Sequence, residues 1–205
     1  MPGIDGYFTF LVTGILLNIT PGADIFYVLS KAGTGGRKVG IASACGICTG
    51  ILIHTLLVSL GLSALLASSD TAFFIMKLLG CVYLVVMGIK AIFSKNGAIS
   101  FDKSGEADLK KGFMQGVLTN ALNPKVALFF LALLPQFVVP DNAFGPIPFL
   151  ILGLTFFTTS IIWCVFLAYI ASFATRFLEK NPRVQSVANK LAGCVYVILG
   201  LNILR

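Results

Sequence analysis

Six apolar segments constrain this chain more than any other feature. They run near residues 7–29, 41–66, 73–93, 112–138, 147–175 and 189–204. Crossing a hydrocarbon core as a helix takes about 20 residues. A membrane barrel would instead show strands of about 10 residues with a period of two, and no such pattern is present. In lipid a helix satisfies its own backbone, which an isolated strand cannot do. The segments therefore predict an all-α integral membrane protein with six transmembrane helices. Charge agrees: 11% of the 205 residues are charged and the mean hydropathy is +0.95. A soluble domain carries about 25% charged residues. This composition excludes a soluble enzyme, a disordered chain and a nucleic-acid module, and it makes the lipid bilayer the expected surroundings.

Charge position predicts orientation. The first connection carries Lys31, Arg37 and Lys38. The third carries Lys95, Lys103, Lys110 and Lys111 with Asp102, Glu106 and Asp108, and the fifth carries Arg176, Glu179, Lys180 and Arg183. The second and fourth, at Ser68-Ser69-Asp70 and Pro140-Asp141-Asn142, have an acid and no base. The positive-inside rule puts the basic loops in the cytoplasm and both termini outside it. The start, Met1-Pro2-Gly3-Ile4-Asp5, lacks the basic region of a cleaved signal peptide. The five cysteines lie inside apolar runs and suggest no disulfide framework. Cys45-Gly46-Ile47-Cys48 has no further ligands beside it, so no metal site or cofactor is expected. Gly46-x-x-x-Gly50 reads instead as a seam for close helix approach.

The sequence also repeats. Lys77-Leu78-Leu79-Gly80-Cys81-Val82-Tyr83 returns almost letter for letter as Lys190-Leu191-Ala192-Gly193-Cys194-Val195-Tyr196. The spacing of 29 residues from Pro21 to Gly50 recurs from Pro124 to Gly153. Each half holds three segments, an odd number, so the halves must insert in opposite orientations. The expectation is one transmembrane domain over 1–205: a first repeat at 1–93, a cytoplasmic linker at 94–111 and a second repeat at 112–205. Inverted repeats mark secondary transporters, with the substrate site at the midplane.

Helices 1 and 4 are expected to break at proline. The strings are Asn18-Ile19-Thr20-Pro21-Gly22-Ala23-Asp24 and Asn120-Ala121-Leu122-Asn123-Pro124-Lys125. Thr20-Pro21 and Asn123-Pro124 each read as an N-cap residue followed by Pro at the first helical position, that is, as helix restarts in mid-membrane. A restart leaves backbone N–H groups and a positive dipole end that an anionic ligand can satisfy. Asp24 and Lys125 are the charges deepest in the apolar runs, where insertion costs roughly 2.5–3.5 kcal/mol each. The dipole favours Asp24 but disfavours Lys125, so Lys125 is expected to turn away from its own helix toward an anion. That anion is either Asp24 or a substrate carboxylate. His54, the single histidine, is either a proton relay or a packed, hydrogen-bonded residue. Asn18 and Asn120 are expected to satisfy the broken backbone or line the cavity. Phe129, Phe130, Phe156 and Phe157 are expected to face lipid, with a side-chain pocket as the alternative.

The Asn-x-Thr-Pro-Gly-x-Asp string at 18–24, the Asn-Pro-Lys at 123–125, the six segments and the chain length together resemble the LysE/RhtB amino-acid exporter family. The resemblance implies a bacterial inner-membrane exporter of amino acids driven by the proton gradient. It further implies that Pro21, Gly22, Asp24, Asn123, Pro124 and Lys125 belong to the transport site. Ala23 departs from the family, which often has a second Pro there. The expectation is a secondary transporter, not an enzyme, that moves a small amino acid out of the cytoplasm in antiport with protons. Its oligomeric state is open, with a homodimer considered. The alternatives are a divalent or heavy-metal exporter and a channel or non-transporting membrane protein.

Overall fold

The computed structural model describes residues 3–68, 108–139 and 142–180, with scattered helical positions between 71 and 93 and between 187 and 201. The third and sixth predicted segments, the repeated Lys77 and Lys190 strings and most of the 94–111 linker lie largely outside the described residues.

The described chain is helical. The first predicted segment is two helices, α1 (Tyr7–Ile19) and α2 (Ala23–Gly35), joined at a 49° bend. Next comes α3 (Arg37–Ser68). The fourth segment is α4 (Leu109–Ala121) and the short α5 (Pro124–Leu128), and the stretch Lys125–Phe137 is bent by 48° from α4. The last is α6 (Ile147–Lys180). Among the described residues two helices, at Arg37–Gly61 and Ile147–Ala171, are long and apolar enough to cross a membrane. The number rises to four if each bent pair is one span. The outer faces suit lipid: Phe8, Leu57, Leu60, Leu118 and Ile162 are all exposed. A soluble monomer rarely tolerates so much exposed apolar surface.

Two local expectations need correction. Lys31, Arg37 and Lys38 were expected in a loop, but α2 and α3 are separated by Gly36 alone, so all three lie on helices. Gly36 has φ +82, which an L side chain rarely adopts, and this lets the chain reverse within one residue. The second correction lies beyond α5. The predicted continuous helix instead becomes a π-helical turn (Phe129–Leu133) and then a 3-10 turn (Leu134–Phe137). Pro135 has no N–H to give the carbonyl one α-turn back. The ladder shifts around it, and Leu134 N–H reaches Phe129 O instead.

Contacts fix the direction of each element. Tyr27 Oη donates to Gly112 O at 2.8 Å, and Arg37 lies 4.6 Å from the Tyr169 ring centroid. The end of α2, the starts of α3 and α4, and the far part of α6 therefore share one end of the bundle. Arg37, Lys38, Lys110 and Lys111 are exposed near it. At the other end Asp5 N–H donates to Phe137 O and Val139 N–H to Gly3 O, each at 3.0 Å. Thus α1–α2 runs one way, α4–α5 the opposite way, and α3 and α6 are antiparallel to each other.

Lipid tails are as apolar as leucine, so burial alone does not hold helices together in a bilayer. Close packing between small residues does. The α3–α4 seam is built this way. A Cβ on Gly46 would collide with the Phe113 carbonyl, one on Gly50 would lie 2.6 Å from the Asn120 side chain, and one on Gly116 would lie 2.6 Å from Ser43 O. The Gly46-x-x-x-Gly50 reading holds, and Gly112-x-x-x-Gly116 answers it from the facing helix. Gly46→Ala is expected to destabilise the protein by about 1–3 kcal/mol, because the obstacle is backbone. Gly61→Ala, with nothing within 4 Å of the new Cβ, should do no harm. Thermal unfolding in detergent separates the two.

Candidate functional site

Two apolar cores flank a polar layer. One gathers Phe10, Leu17, Phe129, Phe130, Phe149, Leu152 and Phe156. The other gathers Ile25, Val28, Leu29, Ala44, Ile47, Leu167 and Ala168. Between them lie both helix breaks.

At the first break Thr20 is not the N-cap expected for α2. It caps the end of α1, its backbone N–H and its hydroxyl both donating to Leu16 O, at 3.0 and 2.6 Å. Pro21 and Gly22 then cross to α2, whose N-cap is Gly22. The reason is geometric: with Pro21 and Gly22 between them, Thr20 lies too far from α2 to cap it. Asp24 falls in the first turn of α2, where the dipole favours a carboxylate. The second break follows expectation. Asn123 is the N-cap, Pro124 is at the helix start, and Asn123 Oδ1 accepts from Lys125 N–H at 3.0 Å.

Lys125 turns away from its helix, as expected, but onto a different acceptor. Its buried ammonium donates to Thr20 O at 2.9 Å. That carbonyl belongs to the negative end of α1, so a cation is favourable there. No ion pair joins Lys125 to Asp24 among the described residues. Gly22 makes room for the crossing: a Cβ there would lie 3.3 Å from Lys125 Nζ. Asp24 Oδ2 accepts from Asn120 Nδ2 at 3.2 Å, while Asp24 Oδ1 is buried without a hydrogen bond and has the Asn123 amide beside it.

A small cavity lies here, lined by Asn18, Asp24, Lys125, Ser160, Trp163 and Cys164 with a set of apolar side chains. Asn18 reaches α6: its Nδ2 donates to Thr159 Oγ1 at 3.0 Å, and its Oδ1 accepts from Ser160 Oγ at 2.7 Å. Asn120 side chain and carbonyl connect Asp24 to His54, whose Nε2 lies 3.2 Å from Asn120 O. His54 is buried, stacked at 5.7 Å on Phe130, and outside the cavity lining.

The phenylalanine expectation is corrected. Phe129, Phe130 and Phe156 are buried against one another instead of facing lipid, and Phe156 lines the cavity. Ser160, Trp163 and Cys164 were missed. They lie on α6, far in sequence from either proline, and the packing of α6 against α1 and α2 brings them in. Among the described residues no group of three His, Cys, Asp or Glu side chains is placed to hold a metal ion.

The architecture is that of a helical membrane protein with a polar cavity between two broken helices. The chain belongs to the LysE type translocator family, which it matches over residues 15–205. It is therefore a translocator and not an enzyme. It is 33% identical over 198 residues to the uncharacterized membrane protein YrhP of Bacillus subtilis, covering 91% of this chain and 92% of the relative. It is 31% identical over 199 residues to the homoserine/homoserine lactone efflux protein of Salmonella typhimurium, covering 96% and 94%. It is 28% identical over 200 residues to the leucine efflux protein of Klebsiella pneumoniae, covering 95% and 92%. No solved structure matches the chain.

The ammonium at Thr20 O gives a stability prediction. Lys125→Met leaves a buried carbonyl without its donor and should cost about 1–3 kcal/mol. Asn123→Ala removes a cap and should cost about 1 kcal/mol. Unfolding in detergent measures both, and an unchanged midpoint for Lys125→Met would mean the carbonyl has another donor.

Proposed function

We propose that this protein is a secondary exporter that carries a small amino acid out of the cytoplasm in exchange for protons. One observation carries the reading: Asp24 and Lys125, one acid and one base, line the same cavity, and Asp24 Oδ1 is buried there with no partner. A buried acceptor costs about 1–3 kcal/mol when unpaired. A proton or a substrate ammonium can take that position in turn, which is the requirement for exchange. Lys125 keeps N–H groups beyond the one used on Thr20 O and offers them to the substrate carboxylate. Asn120 orients the carboxylate of Asp24, His54 positions Asn120, and Asn18 orients the α6 side of the cavity. Pro21, Gly22 and Pro124 keep the chain broken where the ligand sits.

Two relatives named for homoserine and leucine efflux support the amino-acid substrate and the outward direction. The opposed directions of α1–α2 and α4–α5, each bent by nearly 50°, support two inverted three-helix repeats in one six-helix domain. Arg37, Lys38, Lys110 and Lys111 at one end support a cytoplasmic face there, with both termini on the other side.

The test is efflux from proteoliposomes under an imposed pH gradient. Wild-type protein should drive amino acid against its own gradient. Asp24→Asn, which cannot take up and release a proton, should lose this pumping by about 100-fold or more. Full activity of Asp24→Ala would remove Asp24 from the mechanism, and pumping that ignores the pH gradient would remove the proton.

A further inference from the structure

The cavity lining sorts into groups that still have hydrogen bonds to give and groups that do not. Three are open. Asp24 Oδ1 is an acceptor with no partner. Lys125 Nζ has three N–H donors and places one on Thr20 O. Trp163, the single tryptophan of the chain, has its indole N–H buried without a partner and lines the same cavity. Indole N–H can only donate. Two donor groups and one acceptor are the complement of an α-carboxylate and an α-ammonium.

The remaining lining offers little to a polar side chain. Asn18 and Ser160 are engaged with each other and with Thr159, which leaves a single Asn18 N–H over. Beyond them the wall is Cys164, Ile25, Ile47, Ile51, Val126 and Phe156. With Asp24 and Lys125 both facing the zwitterion, no charged side chain of the lining is left to meet a second charge. A substrate with a charged side chain would bury that charge unpaired against aliphatic carbon, which is strongly unfavourable.

We infer that the cavity takes an amino acid with an uncharged, aliphatic side chain, and that the Trp163 indole N–H is a second donor to its carboxylate. The inference rests on the transport reading above and specifies its substrate class. Trp163 is thereby a substrate-binding residue that no sequence motif marks.

The experiment uses the full chain in proteoliposomes loaded with leucine, lysine, glutamate or leucinamide. Leucine should leave with an efficiency roughly 100-fold or more above lysine and glutamate. Trp163→Phe keeps the ring and removes the N–H. It should raise the half-saturating leucine concentration roughly 10-fold while leaving the maximal rate in place. Leucinamide, which has no carboxylate, should be handled equally poorly by both proteins. Efflux of lysine or glutamate as efficient as that of leucine overturns this inference while leaving the transport reading intact. So does unchanged half-saturation in Trp163→Phe. Should that variant fail to fold, the wild-type panel decides alone. Transport of no amino acid at all overturns the transport reading and this inference with it.

Discussion

The hydrogen bond from the Lys125 ammonium to the Thr20 carbonyl holds the two broken helices to each other. A helix that stops in mid-membrane leaves carbonyls that neither water nor lipid satisfies. A lysine in the same region leaves a charge in the same difficulty. Each resolves the other, because the end of α1 is the negative pole of a dipole and the ammonium is positive. The contact spans 105 residues of sequence and brings both prolines to one level. Asp24 and the cavity are placed there as a consequence. Gly22 is part of the same bond, since any larger residue would meet the lysine stem.

Around this contact the bundle divides its labour. Where helices must come close, glycines face backbone, as along α3 and α4. Where volume must be filled, phenylalanines pack edge to face and tilted, with Phe129 and Phe156 centroids 4.5 Å apart. Polar side chains gather at the breaks, and among them Asp24 Oδ1, Asn120 Oδ1, Asn123 Nδ2 and Trp163 Nε1 have no partners. Native interiors keep such atoms rare. Four of them lie near the breaks, so hydrogen-bonding capacity is left unused there.

Much of this is legible in the sequence, for identifiable reasons. Segment length gives the helical membrane fold, because lipid admits so few alternatives. Proline followed by charge gives the breaks, and Asn123 caps as its residue type predicts. Family membership follows from the two strings at 18–24 and 123–125. Thr20 was misread because two signals overlap at Thr-Pro: a threonine that could cap the next helix can also close the last one, and only the path through Gly22 decides. The phenylalanines were misread because a helix apolar all round does not say which face meets lipid. Trp163 and Ser160 had no local signal, since their role comes from a partner helix more than 130 residues away in the chain.

The single-residue link at Gly36 has a mechanical consequence. A connection of several residues would let α2 tilt while α3 stayed still. Here α2 follows α1 through Pro21–Gly22 and leads into α3 through Gly36 alone. Rotation of α2 about the first must displace the start of α3. The start of α3 is keyed by glycine into α4, so the displacement passes to the helix that leads to Asn123 and Lys125. The two breaks are thus linked twice, once through the lysine at the centre and once through a lever that runs around the basic end of the bundle.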